Sequence, residues 1–315
     1  MNTSVLNALF PVILLIAIGF MAGRMRWIGT GAVKDLSNLV FLLLTPALLF
    51  RTMSGVHVEQ LDFMPVLAYF IAVVVIFFST LAVRGFNRRA AVLALANTFS
   101  NTVMIGIPLV GLAFGQAGLV TLLTLYTVHT VVLLTSATVV LELAVMREAA
   151  QEGEAAQRPM AMTVLLAMRN ALIHPVPLPI IAALLFAQTG LVIPDVIDKP
   201  LQLLGNAFGP LALVLVGVTL AYTPVGSHLR GAFALAVVKN LVHPALVAAA
   251  GLALGLSGVP LAVMVVTSSL PIGANVFLFS QRYKVAEELI TASVVVSTAL
   301  AMLTVPLVMW GAGRL

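Results

Sequence analysis

A polar stretch interrupts an otherwise apolar segment in the first half of the chain. Residues 97–108 contain two Asn, two Thr, one Ser and one Gly, and they end at Pro108. An amide can donate to a carboxylate while it accepts from a backbone N–H. Because Pro108 has no N–H and crowds the preceding turn, carbonyls before it are predicted to lose their helical partners. The stretch indicates either a substrate site or a kinked structural helix whose polar side chains bond to neighbouring helices.

A second stretch of the same type lies near the end of the chain. Residues 268–275, Ser-Ser-Leu-Pro-Ile-Gly-Ala-Asn, again combine polar side chains, Pro and Gly within an apolar segment. If the two interrupted helices cross, their half-helix N-termini meet near the middle of the membrane. Each N-terminus has free N–H groups and about half a unit of positive charge. Such a place attracts carboxylates, and a pair of broken helices is typical of carriers.

Few side chains in these stretches can bind a carboxylate. Five are candidate substrate-binding residues, with the two amides at the predicted breaks ranked first: Asn101, Asn275, Thr102, Ser269 and Asn97. Asn97 is included because it precedes Asn101 by one helical turn and shares its face. Pro108 and Pro271 are predicted to break the helices. The alternative role for Asn101 and Asn275 is structural, in which they tie the two broken helices to each other.

Two further candidates lie within predicted spans: Lys239, which is the only clearly intramembrane basic residue, and His129. Lys239 is assigned to charge compensation or proton coupling, because an intramembrane charge is costly and normally faces a cavity or a partner. It would act as a fixed or titrating cation in place of a coupling sodium. The alternative is pairing with a neighbour or extension to the interface. His129, close to Tyr126, is a candidate proton relay or substrate contact, and its alternative role is that of a structural hydrogen-bonding residue.

The composition is that of a polytopic membrane protein. Of the 315 residues, 61% are hydrophobic and 9% are charged, and the mean hydropathy is +1.14, whereas soluble domains have about 25% charged residues. The net charge of +5 comes from residues at the ends of apolar segments, which argues against a nucleic-acid partner. The sequence has no cysteine and no H-E-x-x-H, G-x-S-x-G or Walker motif. We therefore predict no metal, no cofactor and no enzymatic activity.

Apolar runs separated by charged or turn-rich breaks predict an all-α protein with ten membrane-spanning helices. The predicted spans are residues 5–23, 36–55, 64–84, 91–115, 118–144, 165–187, 200–222, 230–256, 260–281 and 288–311. Twelve of the 16 Lys and Arg residues fall on the side that contains the loop after the first span, here called side A. By the positive-inside rule, side A is cytoplasmic and both termini face outward. The first span lacks the features of a signal peptide and is predicted to be retained.

The ten predicted spans divide into two halves of five. Two prolines of the first half, Pro11 and Pro46, recur at one common offset as Pro175 and Pro210 in the second half. An odd number of spans per half places the second half upside down, which gives an inverted repeat of the type that supports alternating access. The predicted division is residues 1–146 for the first repeat, 147–160 for a cytoplasmic linker and 161–315 for the second repeat.

The polar stretches resemble motifs of a known family. Residues 101–109, Asn-Thr-Val-Met-Ile-Gly-Ile-Pro-Leu, resemble the fourth-helix motif of the plant PIN-formed auxin carriers. Residues 270–283 resemble their ninth-helix motif, and residues 36–40 and 45–49 resemble their second helix. The resemblance covers essentially the whole chain. The protein is identified as a prokaryotic member of the auxin efflux carrier family, within the bile-acid/arsenite/riboflavin transporter superfamily.

The resemblance implies ten helices in two inverted repeats, with helices 4 and 9 broken and crossing, and a homodimer in the bacterial inner membrane. It implies elevator-type transport of organic anions, either auxin-like or mono- and dicarboxylates such as malonate or malate. Plant members have prolines at the helix breaks where this chain has Ser100 and Val276. We therefore expect hydrogen bonds of Asn and Ser side chains to hold the crossing, and auxin itself is disfavoured as the substrate.

Two other transport functions remain open from the sequence. A sodium-coupled organic anion symporter of the bile-acid-transporter type would have the same fold, and Lys239 argues against it only if its side chain points inward. An anion channel is less consistent, because channels usually have charge rings or filter loops and the sequence has neither. In each case the expected partners are a small organic anion and the lipid bilayer.

Overall fold

The computed structural model describes residues 3–151, 160–172, 176–224, 226 and 228–314, and these residues form helices without a β-strand. An α-helix pairs its backbone groups within its own segment, as a lipid environment requires. The helices of the described residues are α1 (Thr3–Arg24), α2 (Thr30–Leu39), α3 (Thr45–Met53), α4 (Met64–Arg84), α5 (Arg88–Thr98), α6 (Ile107–Gln151), α7 (Met160–Leu172), α8 (Pro177–Ala187), α9 (Asp195–Tyr222), α10 (Leu229–Val237), α11 (His243–Ala253), α12 (Gly258–Ser269), α13 (Ala274–Tyr283) and α14 (Glu287–Ala312).

Six helical stretches of the described residues are long and apolar enough to cross a membrane: Thr30–Met53, Met64–Arg84, Thr102–Glu148, Asp195–Tyr222, Leu229–Ala253 and Glu287–Ala312. Three shorter apolar helices cover Ala8–Arg24, Pro177–Ala187 and Gly258–Ser269. α6 contains a kink at Gly115, whose φ of 61° and ψ of −151° are not helical. This kink lies at the last residue of the predicted span 91–115, shortly before the predicted span 118–144. Residues 152–159 of the predicted linker and Pro175 of the proline repeat lie outside the described residues.

Three of the long helical stretches contain a wide, π-helical turn directly ahead of a proline. The turns are Val40–Leu44, Thr102–Gly106 and Val238–Val242, and the prolines are Pro46, Pro108 and Pro244. A proline has no N–H, and its ring clashes with the carbonyl four residues earlier in an α-helix. In each wide turn the residue before the proline bonds five residues back, as in the bond from Thr45 N–H to Val40 O. The helix therefore continues through the proline.

Ten of the helices form two groups, and the long helix α6 contacts members of both. In the first helix group (α1, α3, α8 and α9), α1 packs along α9, and α3 packs against α8 and α9. A Cβ atom on Gly19 would lie 2.0 Å from Val214 O, and one on Gly217 would lie 2.0 Å from Ile16 O. Glycine at both positions lets the two backbones touch, as small residues do in membrane helix pairs.

The second helix group (α4, α5, α10, α11, α12 and α14) surrounds two deeply buried helices. α4 packs against α5 and α11, α12 packs against α11 and α14, and α10 packs against α14. Every residue in the ranges 90–98 of α5 and 261–269 of α12 is buried. Because both helices end inside the protein, the free carbonyls at their C-termini need partners there. These two ends are the places where the polar stretches of the sequence lie.

Candidate functional site

The two polar stretches cross where α5 and α12 end. Asn101 N–H donates to Pro271 O at 2.8 Å, and Gly273 N–H donates to Phe99 O at 2.9 Å. The two extended segments thereby form a single antiparallel bridge. Beyond the bridge, each chain segment starts a new helix. The crossing is therefore held by backbone groups from both halves of the chain.

Gly273 is required by the close approach of the two backbones. A Cβ atom at this position would lie 2.9 Å from Ser100 O and 2.8 Å from Cδ1 of Phe99. Its neighbour Ile272 donates its N–H to Ser297 Oγ of α14 at 3.1 Å. Ser297 was not predicted as a site residue, because nothing in the apolar sequence around it distinguishes it from other serines of the membrane helices.

The expected side-chain hydrogen bonds across the crossing are absent from the part of the chain that the structure describes, which corrects the sequence-based expectation. Ser100 Oγ is buried without a hydrogen-bond partner. The amides of Asn101 and Asn275 also have no partner among the described residues, and both side chains are partly exposed. The backbone bridge already pairs the crossing segments, so these three polar side chains remain available to a ligand.

A cavity of about 40 Å³ lies at the crossing, between the N-termini of two helices. The helical stretch that begins at Thr102 and α13, which begins at Ala274, both lack a side-chain cap. Their first N–H groups have no partner within the helix, so both N-termini present donors. At about 10–15 Å³ per water, the cavity has room for a group of carboxylate size. The residues that line this crossing cavity are Phe41, Phe99, Ser100, Asn101, Thr102, Val103, Met104, Tyr126, Gly273, Ala274 and Asn275.

A larger cavity of about 360 Å³, here called the vestibule, adjoins the crossing cavity at Ala274. It lies between α2, the C-terminal end of α9, α13 and α14. Its lining residues are Thr30, Val33, Thr219, Tyr222, Thr223, Pro224, Ala274, Phe277, Thr291 and Val294. Thr30 and Pro224 fall in two of the loops that the sequence predicts on side A.

The predicted ligands Asn97 and Ser269 are not among the described residues that line the crossing cavity. Asn97 Nδ2 donates to Thr80 Oγ1 of α4 at 3.1 Å. Ser269 Oγ donates to Val266 O of its own helix at 2.7 Å. The one-turn relation between Asn97 and Asn101 does not hold, because α5 ends between them. Asn101, Asn275 and Thr102 do line the cavity.

Two of the four predicted helix-break residues lie in the breaks, and two lie just after them. Ser100 and Pro271 are in the extended crossing segments. Pro108 is in the first turn of α6, because the wide turn ahead of it lets the helix continue. Val276 is in the first turn of α13, and its N–H donates to Gly273 O at 3.1 Å.

Lys239 caps the C-terminal end of α12 and lines neither cavity. Its side chain is fully buried, and Nζ donates to Ser268 O at 2.6 Å and to Leu270 O at 2.8 Å. A cation is favourable there, because the last carbonyls of a helix carry partial negative charge. The next residue, Asn240, donates from Nδ2 to Ser297 O at 2.8 Å. Lys239 thus bonds to the residue that precedes Pro271, and Asn240 bonds to Ser297, whose hydroxyl accepts from Ile272.

His129 lies in a layer of aromatic rings behind the crossing. Its ring centroid is 4.8 Å from that of Phe99 and 5.3 Å from that of Tyr69, which in turn is 5.2 Å from that of His243. Both imidazoles are buried, and none of their ring nitrogens has a hydrogen-bond partner among the described residues. His243 was not among the predicted site residues, although it follows Lys239 by one helical turn.

Comparisons with known proteins agree with a transport site. A family model described as "Membrane transport protein" matches residues 4–309. The "Putative malonate transporter" of Rhizobium meliloti (strain 1021) is 28% identical over 307 residues, which is 94% of this chain and 92% of that protein. The "Probable auxin efflux carrier component 1d" of Oryza sativa subsp. japonica is 31% identical over 164 residues, 48% of this chain and 29% of the plant protein. "Auxin efflux carrier component 1" of Arabidopsis thaliana is 30% identical over 112 residues, which is 35% of this chain and 18% of the plant protein.

The family match extends over nearly the whole chain and includes both crossing segments. It confirms the family that the motifs predicted, and it confirms a transporter rather than an enzyme. The apolar helices agree with an integral membrane protein. The chain therefore belongs to the membrane transport protein family, which includes the auxin efflux carriers, and it is a membrane transporter.

Proposed function

We propose that the chain is a secondary transporter of small organic anions that binds the substrate carboxylate at the helix crossing. The observation that carries this proposal is the convergence of two helix N-termini and two unpartnered amides on one cavity. Asn101 and Asn275 would each donate to the carboxylate through the side-chain amide. The first N–H groups of the two helices and the Thr102 hydroxyl would complete the set of donors.

The proposed substrates are small carboxylates. The relative that aligns over most of its length is named for malonate, which supports this class. The plant relatives are named for auxin efflux, but the aligned part is less than a third of each plant protein. Where the plant motif has a proline, this chain has Ser100, and a backbone bridge pairs the crossing segments there. Auxin is therefore the less favoured substrate.

Alternating access would follow from movement between the two helix groups. We propose ten membrane-spanning helices in two inverted repeats, with α5 and α12 as the first halves of the broken helices 4 and 9. The first helix group would be the scaffold, and the second would carry the crossing in an elevator movement. The Gly19 and Gly217 contact supports a rigid scaffold. By analogy with the family, the protein would be a homodimer in the bacterial inner membrane.

The proposed orientation places side A in the cytoplasm, with both termini outside and the linker 147–160 inside. The positive charge of the side A loops supports this orientation. The vestibule would then connect the site to the cytoplasm. The structure would correspond to an inward-facing state, in which positive charge on side A raises the local concentration of anions.

Lys239 and His129 are the residues that concern the coupling of transport to sodium or protons. The ammonium of Lys239 already bonds to the carbonyls at the C-terminus of α12, where a coupling sodium would find oxygen ligands. We therefore propose charge compensation by Lys239 and transport without sodium. For His129 we propose a role in proton coupling, supported by its buried, unpartnered imidazole directly behind Phe99.

Thermal stabilisation of the purified full-length protein tests this function. The ligands are mono- and dicarboxylates and indole-3-acetate, each with and without sodium, since a ligand that binds the folded state raises the melting temperature. We expect a small carboxylate to stabilise the protein equally in sodium and potassium. Stabilisation only in sodium would favour the symporter, and stabilisation by no carboxylate would overturn the proposal. Counterflow of labelled substrate in proteoliposomes separates a carrier from a channel, because a channel shows none.

A further inference from the structure

We infer that the site carries its substrate as a monoanion: a monocarboxylate, or a dicarboxylate that keeps one carboxyl group protonated. The inference rests on the proposed function, because it concerns the charge of the anion bound at the helix crossing. It follows from the charges that surround the two connected cavities. The described lining offers positive charge that offsets one negative charge of the ligand, and none that offsets a second.

The positive charge at the crossing comes from the backbone. Two helix N-termini face the crossing cavity, and each is equivalent to about half an elementary charge, so together they match about one carboxylate. The side-chain donors are neutral. Asn101, Asn275 and Thr102 line the cavity, and Ser100 Oγ is a buried hydroxyl without a partner in the same lining.

Among the described residues, no cationic side chain lines either cavity. The described lining of the crossing cavity and the vestibule includes no Lys, Arg, His, Asp or Glu. Its titratable groups are the phenols of Tyr126 and Tyr222. Lys239 does not provide a second positive charge to the ligand, because Nζ is already bonded to Ser268 O and Leu270 O.

A second carboxylate would therefore lie against apolar groups. The crossing cavity is walled by Phe41, Phe99 and Met104, and the side of the vestibule nearest to it is formed by Ala274 and Phe277. A neutral carboxyl group needs only ordinary hydrogen bonds there, whereas an unpaired carboxylate would lose its hydration without compensation. Protonation of the second group removes this cost.

The charge that would move during transport leads to the same conclusion. Lys239 is the only Lys, Arg, Asp or Glu buried among the described residues. The partial charges at the helix ends stabilise a bound carboxylate locally but add no net charge, so the net charge that would move is that of Lys239 and the ligand. A bound monoanion brings this sum to zero, whereas a dianion leaves one uncompensated negative charge. Movement of an uncompensated charge through hydrocarbon is unfavourable.

The test compares a dicarboxylate with its monoester. For malonate and monomethyl malonate, we measure the concentration that gives half-maximal thermal stabilisation of the full-length protein between about pH 5.5 and about pH 7.5. The monoester carries one charge over this range and controls for effects of pH on the protein. We expect the half-maximal concentration of total malonate to rise about tenfold per pH unit once the dianion dominates. The half-maximal concentration of the monoester should stay constant.

The outcomes separate this inference from the proposed function. Malonate affinity that is constant or rises with pH would overturn the inference and leave the carboxylate site intact. Stabilisation by monocarboxylates alone, at every pH, would support it. Stabilisation by none of the acids would overturn both.

A variant adds a second line to the test. Thr291 lines the vestibule, and Thr291→Lys supplies the missing cation. We expect this variant to weaken the pH dependence of malonate binding, and the neutral Thr291→Gln control to retain it. An unchanged pH profile in Thr291→Lys, with normal monoester binding, would show that the missing cation is not the cause.

Discussion

The Nζ atom of Lys239 lies 2.8 Å from the carbonyl oxygen of Leu270, the first residue after α12. The same ammonium bonds to Ser268 O at 2.6 Å. On the other side of this break, Asn101 N–H bonds to Pro271 O. The broken helix of the second half is therefore paired from two directions, by a cation behind it and by a backbone bridge in front of it.

Replacement of Lys239 should destabilise the protein. Lys239→Met leaves the carbonyls of Ser268 and Leu270 buried without their partner, and we expect a loss of about 1–3 kcal/mol in the free energy of unfolding. Denaturant or thermal unfolding of the purified protein measures the loss. Lys199→Met is the control, because Lys199 is exposed and its replacement should change stability by less than about 0.5 kcal/mol. Equal stability of Lys239→Met and wild type would contradict the role of the cap.

The two free amides should govern affinity for the substrate. A hydrogen bond to a charged group contributes about 1.5–3 kcal/mol, so Asn101→Ala and Asn275→Ala should each weaken carboxylate binding about tenfold or more. Ligand-induced thermal stabilisation measures the affinity. Asn97→Ala is the matched control: it removes the bond to Thr80 and lowers stability by about 1 kcal/mol, but it leaves affinity unchanged. Wild-type affinity in both site variants would place the carboxylate elsewhere.

The crossing should not tolerate a methyl group at residue 273. Gly273→Ala brings Cβ to 2.9 Å from Ser100 O, which is backbone and has no room to yield. We expect a loss of about 1–3 kcal/mol in stability together with weaker substrate binding. The control is Gly311→Ala near the C-terminal end of α14, where a Cβ meets nothing within 4 Å, and this replacement should change stability by less than about 0.5 kcal/mol. Unfolding curves and substrate titrations of both variants check the pair.

The α1–α9 contact should depend on its glycines. Gly217→Leu forces the helices apart, since even a Cβ would lie 2.0 Å from Ile16 O. We expect a large fall in the yield of monodisperse protein and a melting temperature well below that of the wild type. Gly29→Leu, where the added Cβ meets nothing, should behave as the wild type. Size-exclusion chromatography and thermal unfolding distinguish these results, and normal behaviour of Gly217→Leu would rule out the close contact.

The break in the second half could be located from the sequence more closely than the break in the first half. Pro271 lies in the extended segment, where its missing N–H costs no helical bond. In the first half the only proline of the stretch is Pro108, and the helix continues through it because a wide turn precedes it. The break lies at Ser100 instead. A sequence does not reveal whether a helix breaks at a proline or widens ahead of it. Because the sequence did not reveal that α5 ends before Asn101, it also predicted Asn97 and Asn101 on one helical face.

The partners of the candidate residues depend on contacts between distant segments. The pattern of apolar residues indicated that Lys239 lies at membrane depth, but its partners are 29 and 31 positions away. Ser297 likewise reaches Ile272 across 25 positions. Amide chemistry beside a predicted helix break selected Asn101 and Asn275, and both line the crossing cavity. Their role as ligands stays a prediction.

The wide turns ahead of the prolines set the rotational phase of their helices. Each one contains one more residue than the α-helical turn that it replaces, and one residue corresponds to about 100° of rotation about the helix axis. Lys239 lies within the wide turn ahead of Pro244, and Thr102 opens the one ahead of Pro108. If either turn relaxed to a regular helix, the residues on one side of it would turn away from their present direction. Prolines that bind nothing thus determine where the cap and the ligand donors point.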